Sequence, residues 1–148
     1  MISFELNKKA EINVSDKWLN QVAETFAKVN GLKNKNTFSL AFVSGAEIRK
    51  WNRLYRGIDK ITDVLSFSED NLFIDPSDKE KYLGEIIICV SQAKKQAKEL
   101  KHSLKQEIAR LLVHGLAHLI GYDHENVSKY KAKQMEDMED KAMKSLGF

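Results

Sequence analysis

LGEIIICVS, residues 83–91, contains the unbroken apolar run Ile86, Ile87, Ile88, Cys89 and Val90. A short apolar run without alternation is expected of a strand buried on both faces. Such a strand needs neighbours in a sheet and cover on each side, and the flanking sequence offers both. Upstream, TDVLSF (62–67) is rich in strand formers, FSLAFV (38–43) reads as another strand, and ISFELN (2–7) alternates apolar with polar residues. Two helices separate the first three strands. Ser15 opens one, with Trp18, Val22, Phe26 and Val29 on a single face and Asn30-Gly31 as its stop. Ser44 and Glu47 have the spacing of a capping box; Ile48, Trp51, Leu54 and Tyr55 follow at helical spacing, and Gly57 ends that helix. Residues 69–82 are charged, hold the only proline, Pro76, and read as an exposed loop.

Downstream comes a lysine-rich helix, QAKKQAKEL (92–100). Ser103 and Gln106 form a second capping box, and Leu104, Ile108, Leu111, Leu112 and Leu119 make an apolar stripe behind it. Gly121 is placed to end that helix with a left-handed residue. From about Val127 to Leu146, Lys alternates with Glu and Asp around Tyr130, Ala132, Met135, Met138 and Met143, as in a final amphipathic helix. The order β-α-β-α-β-β-α-α-α predicts an α+β fold: residues 1–148 as a single domain, with one mixed sheet of about four strands covered by about five helices. The order of strands within that sheet is not legible.

Composition narrows the function classes. The 148 residues are 43% apolar and 30% charged, as in a folded domain rather than a disordered one. No apolar run approaches the roughly 20 residues of a membrane span, so no membrane partner is expected. The start, MISFELNKKAEINVS, lacks a secretory apolar stretch, and the lone Cys89 excludes an internal disulfide; both point to the cytoplasm. A net charge of +3 and a pI near 8.9 are compatible with an anionic partner such as RNA without requiring one.

HGLAHLIGYDH (114–124) holds three of the four histidines. His114 and His118 are four residues apart on a helix, one turn above one another and beside the apolar stripe. They therefore lie at the edge of the core, sheltered yet reachable. His124 follows the helix-stopping glycine, where a returning chain brings a third imidazole to the same ion. Three imidazoles around zinc leave a fourth position open, the arrangement of catalytic rather than structural sites. Zinc suits imidazole best among common ions, and other divalent transition metals also accept it. Gly115 occupies the place where H-E-x-x-H peptidases carry their general base, which disfavours a peptidase. Asp123 either orients an imidazole or shapes the turn, the turn being favoured. His102 reads as solvated, and Lys94, Lys95 and Lys98 as a solvated basic face with RNA contact as the alternative.

HGLAHLIGYDH resembles the H-G-x-L-H-L-x-G-Y-D-H signature of the YbeY family of endoribonucleases and rRNA maturation factors. LYRGIDKITDVLSF (54–67) is similar to that family's Y-R-x-x-D-x-P-T-D-V-L-S-F segment, and LGEIIIC (83–89) to its L-G-D-I-x-I-S strand. Ala117, Ile61, Glu85 and Cys89 depart from the usual Leu, Pro, Asp and Ser, and none is a proposed ligand. The resemblance implies a zinc-dependent, single-strand-favouring endoribonuclease that processes ribosomal RNA, including the small-subunit 3′ end, and takes part in ribosome quality control. Its implied partners are single-stranded RNA, ribosomal RNA and the ribosome or ribosome-associated proteins. It carries His114, His118 and His124 over as metal ligands and Arg56 as the functionally important arginine. A guanidinium forks onto phosphate oxygens, which suits Arg56 to that role. Thr62, Asp63 and Ser66 are expected to be structural. Two other readings stay open: a ribosome-assembly binding factor with a structural metal, and another zinc-dependent hydrolase. The oligomeric state is not legible.

Overall fold

A computed structural model describes residues 1–69, 80–123 and 127–148. Its elements are β1 (Ile2–Lys8), α1 (Asp16–Val29), β2 (Lys35–Val43), α2 (Gly45–Arg56), β3 (Val64–Ser68), β4 (Glu80–Cys89), α3 (Val90–Glu99), α4 (Leu104–Leu119) and α5 (Lys129–Ser145). The α+β class and the element order match the expectation. The sheet runs β1-β2-β4-β3, with β1, β2 and β4 parallel and β3 antiparallel to β4 along the edge.

The apolar run of β4 divides between two cores. Ile86 and Ile88 point into the larger one, with Phe38, Leu40 and Phe42 of β2, Val22 and Phe26 of α1, and Ile108, Leu112 and Leu116 of α4. Ile87 and Cys89 point the other way, into a smaller cluster with Val43, Ile48 and Leu65 beneath α2. Each fully buried side chain of this size contributes roughly 1.5–3 kcal/mol relative to exposure. The continuous apolar run thus follows from helices on both sides of the central strand.

Several boundaries differ from expectation. Val90 and Ser91 open α3 rather than closing β4, because the chain turns directly from strand into helix without a polar linker. β2 begins at Lys35, where its pairing with both neighbours extends the ladder beyond the apolar segment. Residues 80–82, read as part of a loop, belong to β4, paired to residues 35–37 of β2. The remainder of that loop, 70–79 with Pro76, lies outside the described residues. On α2 only Ile48 of the four apolar residues is buried, while Leu54 and Tyr55 are largely exposed.

Three helix starts behave as read: Oγ of Ser15, Ser44 and Ser103 each accepts a hydrogen bond from the backbone N–H three residues on, as N-caps do. Ser128, not singled out in the sequence, caps α5 in the same way. Helix α4 is buried along most of its length and crosses close over β4. Gly115 is the reason it can. A Cβ at that position would stand 3.0–3.2 Å from three side-chain carbons of Ile86, tighter than carbon atoms pack at their optimum of about 3.5–4.0 Å.

Candidate active site

Helix α4 ends where the sequence indicated. Ile120 is the C-cap, and Gly121 follows with φ +103°. The N–H of Gly121 donates to the His118 carbonyl at 3.1 Å and that of Tyr122 to the Ala117 carbonyl at 3.0 Å, closing the last turn. The Tyr122 hydroxyl then donates to Oδ1 of Asn30, the C-cap of α1, at 3.2 Å. The turn that follows the histidine helix is thereby tied to the first helix of the chain.

His114 and His118 meet on this end of α4. Their rings are edge-to-face, with centroids 4.7 Å apart and planes at 86°, and their Nε2 atoms are 3.2 Å apart. Two nitrogens this close either share a hydrogen, as an N–H···N bond, or hold a metal ion between them. Two metal–nitrogen bonds of about 2.0–2.1 Å at a tetrahedral angle hold their nitrogens about 3.3 Å apart. The observed separation therefore fits two ligands of one zinc-like ion. On the far side of His114, Nδ1 lies 2.7 Å from Oε1 of Glu139 on α5. An ionised carboxylate only accepts, so Nδ1 carries the proton and Nε2 presents its lone pair towards His118. Metal-ligating histidines are commonly oriented in this way. Among the described residues no group of three or more His, Cys, Asp or Glu forms a metal-holding cluster. His124, the third expected ligand, lies outside them.

The two histidines stand in a cleft of about 500 Å³ that Arg56 also lines, together with Asp63, Ser66, Ser68 and Asp123. Arg56 is the last residue of α2, and Gly57 after it takes φ +70° to stop the helix there. The fold thus brings together three of the four expected site residues, from two helices that are not neighbours in the chain. Asp123, in the turn after α4, lines the cleft. Gly115 faces Ile86 in the core, away from the cleft, so a glutamate there would be buried rather than reach a bound ion. Lys94, Lys95 and Lys98 are exposed on α3, and none lines the cleft.

Asp63 joins the cleft to a partly buried polar network. Its Oδ1 accepts from the Val64 N–H at 2.8 Å and the Thr62 hydroxyl at 3.4 Å, and its Oδ2 from Gln96 Nε2 at 3.2 Å. Arg110 lies 3.9 Å from Oδ2 and donates through Nε to Glu107 at 2.5 Å. Glu107 is fully buried, and its other oxygen is 3.2 Å from Nε2 of His102. His102 is consequently not a solvated residue. Its side chain is only 16% exposed, because the buried carboxylate draws it in. The sequence concealed Glu107 and Glu139: each is one acidic residue on an amphipathic helix with no local mark of its partner, and Glu139 finds His114 25 positions away.

A family model described as "Endoribonuclease YbeY" matches residues 2–147. A protein called endoribonuclease YbeY from Staphylococcus carnosus is 42% identical over 123 residues, covering 80% of each chain. One of the same name from Moorella thermoacetica is 38% identical, covering 96% of this chain and 95% of its own. The solution structure of TM1509 from Thermotoga maritima superposes with a TM-score of 0.62 at 25% identity, covering 99% of this chain and 91% of that one.

Proposed function

This chain belongs to the YbeY family of endoribonucleases, and from that premise we propose that its cleft binds single-stranded RNA and cleaves a phosphodiester bond beside a divalent ion, zinc foremost, held by His114, His118 and His124. One observation carries the reading: two imidazole Nε2 atoms 3.2 Å apart share a cleft with an arginine. A bound ion supplies Lewis-acid polarisation at the phosphate. The chain's own residues do the remainder. Glu139 holds the Nδ1 proton of His114 and so keeps Nε2 available as a ligand. Arg56, which lines the same cleft, engages phosphate oxygens and stabilises charge that develops on them. Asp63 is an acidic group in a cleft meant for an anion, and its contacts with the Val64 N–H, Gln96 and Arg110 offset its charge. The inward-facing Gly115 argues against a peptidase.

The same reading places the protein in the cytoplasm, acting on ribosomal RNA, including the small-subunit 3′ end, and in ribosome quality control in contact with the ribosome. Support for these roles is the family membership.

The test compares wild-type, His118→Ala and Arg56→Glu proteins, purified free of contaminating RNases, for metal content and for cleavage of single-stranded RNA. His118→Ala loses both metal and cleavage; Arg56→Glu keeps the metal and loses cleavage about a hundredfold or more, as expected for removal of one charge-stabilising group. Full cleavage by metal-free protein overturns the reading. A coordination sphere filled by protein ligands alone, without cleavage, replaces it with a binding factor that carries a structural metal.

A further inference from the structure

Strand β3 forms one wall of the cleft and lies at the edge of the sheet, with β4 as its only strand neighbour among the described residues. Its register shows which backbone groups face outward. Val64 pairs with Ile88, Ser66 with Ile86 and Ser68 with Gly84. The Cys89 N–H donates to the Asp63 carbonyl at 2.9 Å, and the Glu69 N–H donates to the Leu83 carbonyl at 3.1 Å. In an antiparallel pair, hydrogen-bonded residues alternate with residues whose N–H and C=O both point away from the partner. Residues 63 and 69 are thus of the bonded kind, and the unbroken register makes 65 and 67 the same. Val64, Ser66 and Ser68 present their backbone groups to the open edge. The Val64 N–H is taken by the Asp63 carboxylate at 2.8 Å. The outward donor–acceptor pairs of the strand therefore begin at Ser66, a residue that lines the cleft with Arg56, His114 and His118.

We propose that the outward N–H and C=O of Ser66, with those of Ser68 beside them, hydrogen-bond the Watson–Crick edge of an unpaired base of the RNA and so select single strands. The inference rests on the RNA reading above and adds how the site chooses its substrate. A phosphate offers only acceptors and cannot satisfy a C=O. A base edge offers a donor and an acceptor side by side, as the backbone of one outward residue does, and in a duplex that edge is already paired. An extended peptide would also pair with an edge strand. Asp63 blocks the first outward N–H of this five-residue strand, which leaves too short a ladder for a peptide and enough for a base. Arg56 in the same cleft draws a polyanion rather than a neutral chain.

The test removes one N–H. Ser66→Pro deletes a donor that points away from β4, so the ladder is kept; proline is tolerated on edge strands in this orientation. Replacing the residue 66 amide by an ester, with the serine side chain retained, removes the same N–H without constraining the backbone and decides the matter if Ser66→Pro fails to fold. With single-stranded oligoribonucleotides that differ in one base, both variants keep their metal. Each shows KM raised about two- to tenfold, the range for one lost neutral hydrogen bond, with kcat changed less and discrimination among the four bases flattened. Wild-type KM and base discrimination in the ester variant overturn the proposal. So does an uncharged extended peptide that binds wild-type protein and not the ester variant while RNA cleavage stays equal in both, which makes the edge a peptide site. Absence of RNA cleavage by wild-type protein counts against the function proposed above, whereas equal cleavage by wild-type and ester proteins counts against the reading edge alone.

Discussion

Two imidazole–carboxylate pairs sit at opposite ends of the histidine helix. Near its start, Nε2 of His102 lies 3.2 Å from Glu107; near its end, Nδ1 of His114 lies 2.7 Å from Glu139. The chemistry is the same and the surroundings are not. Glu107 is fully buried and shared by Arg110 and His102, and Arg110 also reaches Asp63, which braces the start of α4 against the residues that lead into β3. Glu139 is about one-fifth exposed and holds the inner nitrogen of a ring whose outer nitrogen faces His118 and the cleft. A carboxylate beside a histidine therefore does not by itself mark a candidate ligand. The two pairs differ in where the second ring nitrogen faces.

The contrast makes the two ends separable by mutation, and the largest effect is expected at the buried one. Arg110→Met leaves the buried Glu107 carboxylate with only His102; Arg110 itself is more than a third exposed, so losing this charge-assisted bond costs about 2 kcal/mol. Urea unfolding of the metal-free protein measures it. An unchanged midpoint would mean that the network is not a brace. At the other end, Glu139→Ala is expected to weaken metal binding about 10–100-fold with little change in unfolding; competition with a chromogenic chelator gives the affinity. If that variant binds metal as well as wild type but unfolds more easily, the two pairs are alike and the contrast fails. The smallest effect belongs to His102→Ala, which removes one of the two partners of Glu107 and leaves Arg110: about 1 kcal/mol in stability, with metal affinity unchanged. A loss of metal from His102→Ala would show that the two ends of α4 are coupled.

Much of the architecture is legible in the chain itself. The run Ile86–Val90 marks a strand buried on both faces, and the serines at 15, 44 and 103 mark helix starts within a residue. These signals are local, because periodicity and capping depend on residues a few positions apart. The pairing of His114 with His118 is local for the same reason: one helical turn decides it. Arg56 was reached through likeness to a family, since an arginine before a helix-ending glycine has an ordinary explanation in the helix dipole.

Other features depend on contacts between distant segments. Gly115 illustrates the boundary. From sequence it reads as a missing catalytic glutamate; in the fold it is the point where α4 touches Ile86, and its side-chain direction excludes the cleft altogether. His102 reads as solvated and is held by a carboxylate that burial makes scarce and therefore well partnered. Glu139 is one acidic residue among several on α5 until helix packing sets it against His114.

The sequence by itself determined the elements, the α+β class and the histidine pair, because each depends on the chemistry of near neighbours along the chain. Only the tertiary structure decided the β1-β2-β4-β3 order, the open edge of β3 beside the cleft, and which carboxylate orients a histidine and which braces a helix. Those depend on which segments pack together and on which groups lose water when they do. Chain spacing carries no record of either.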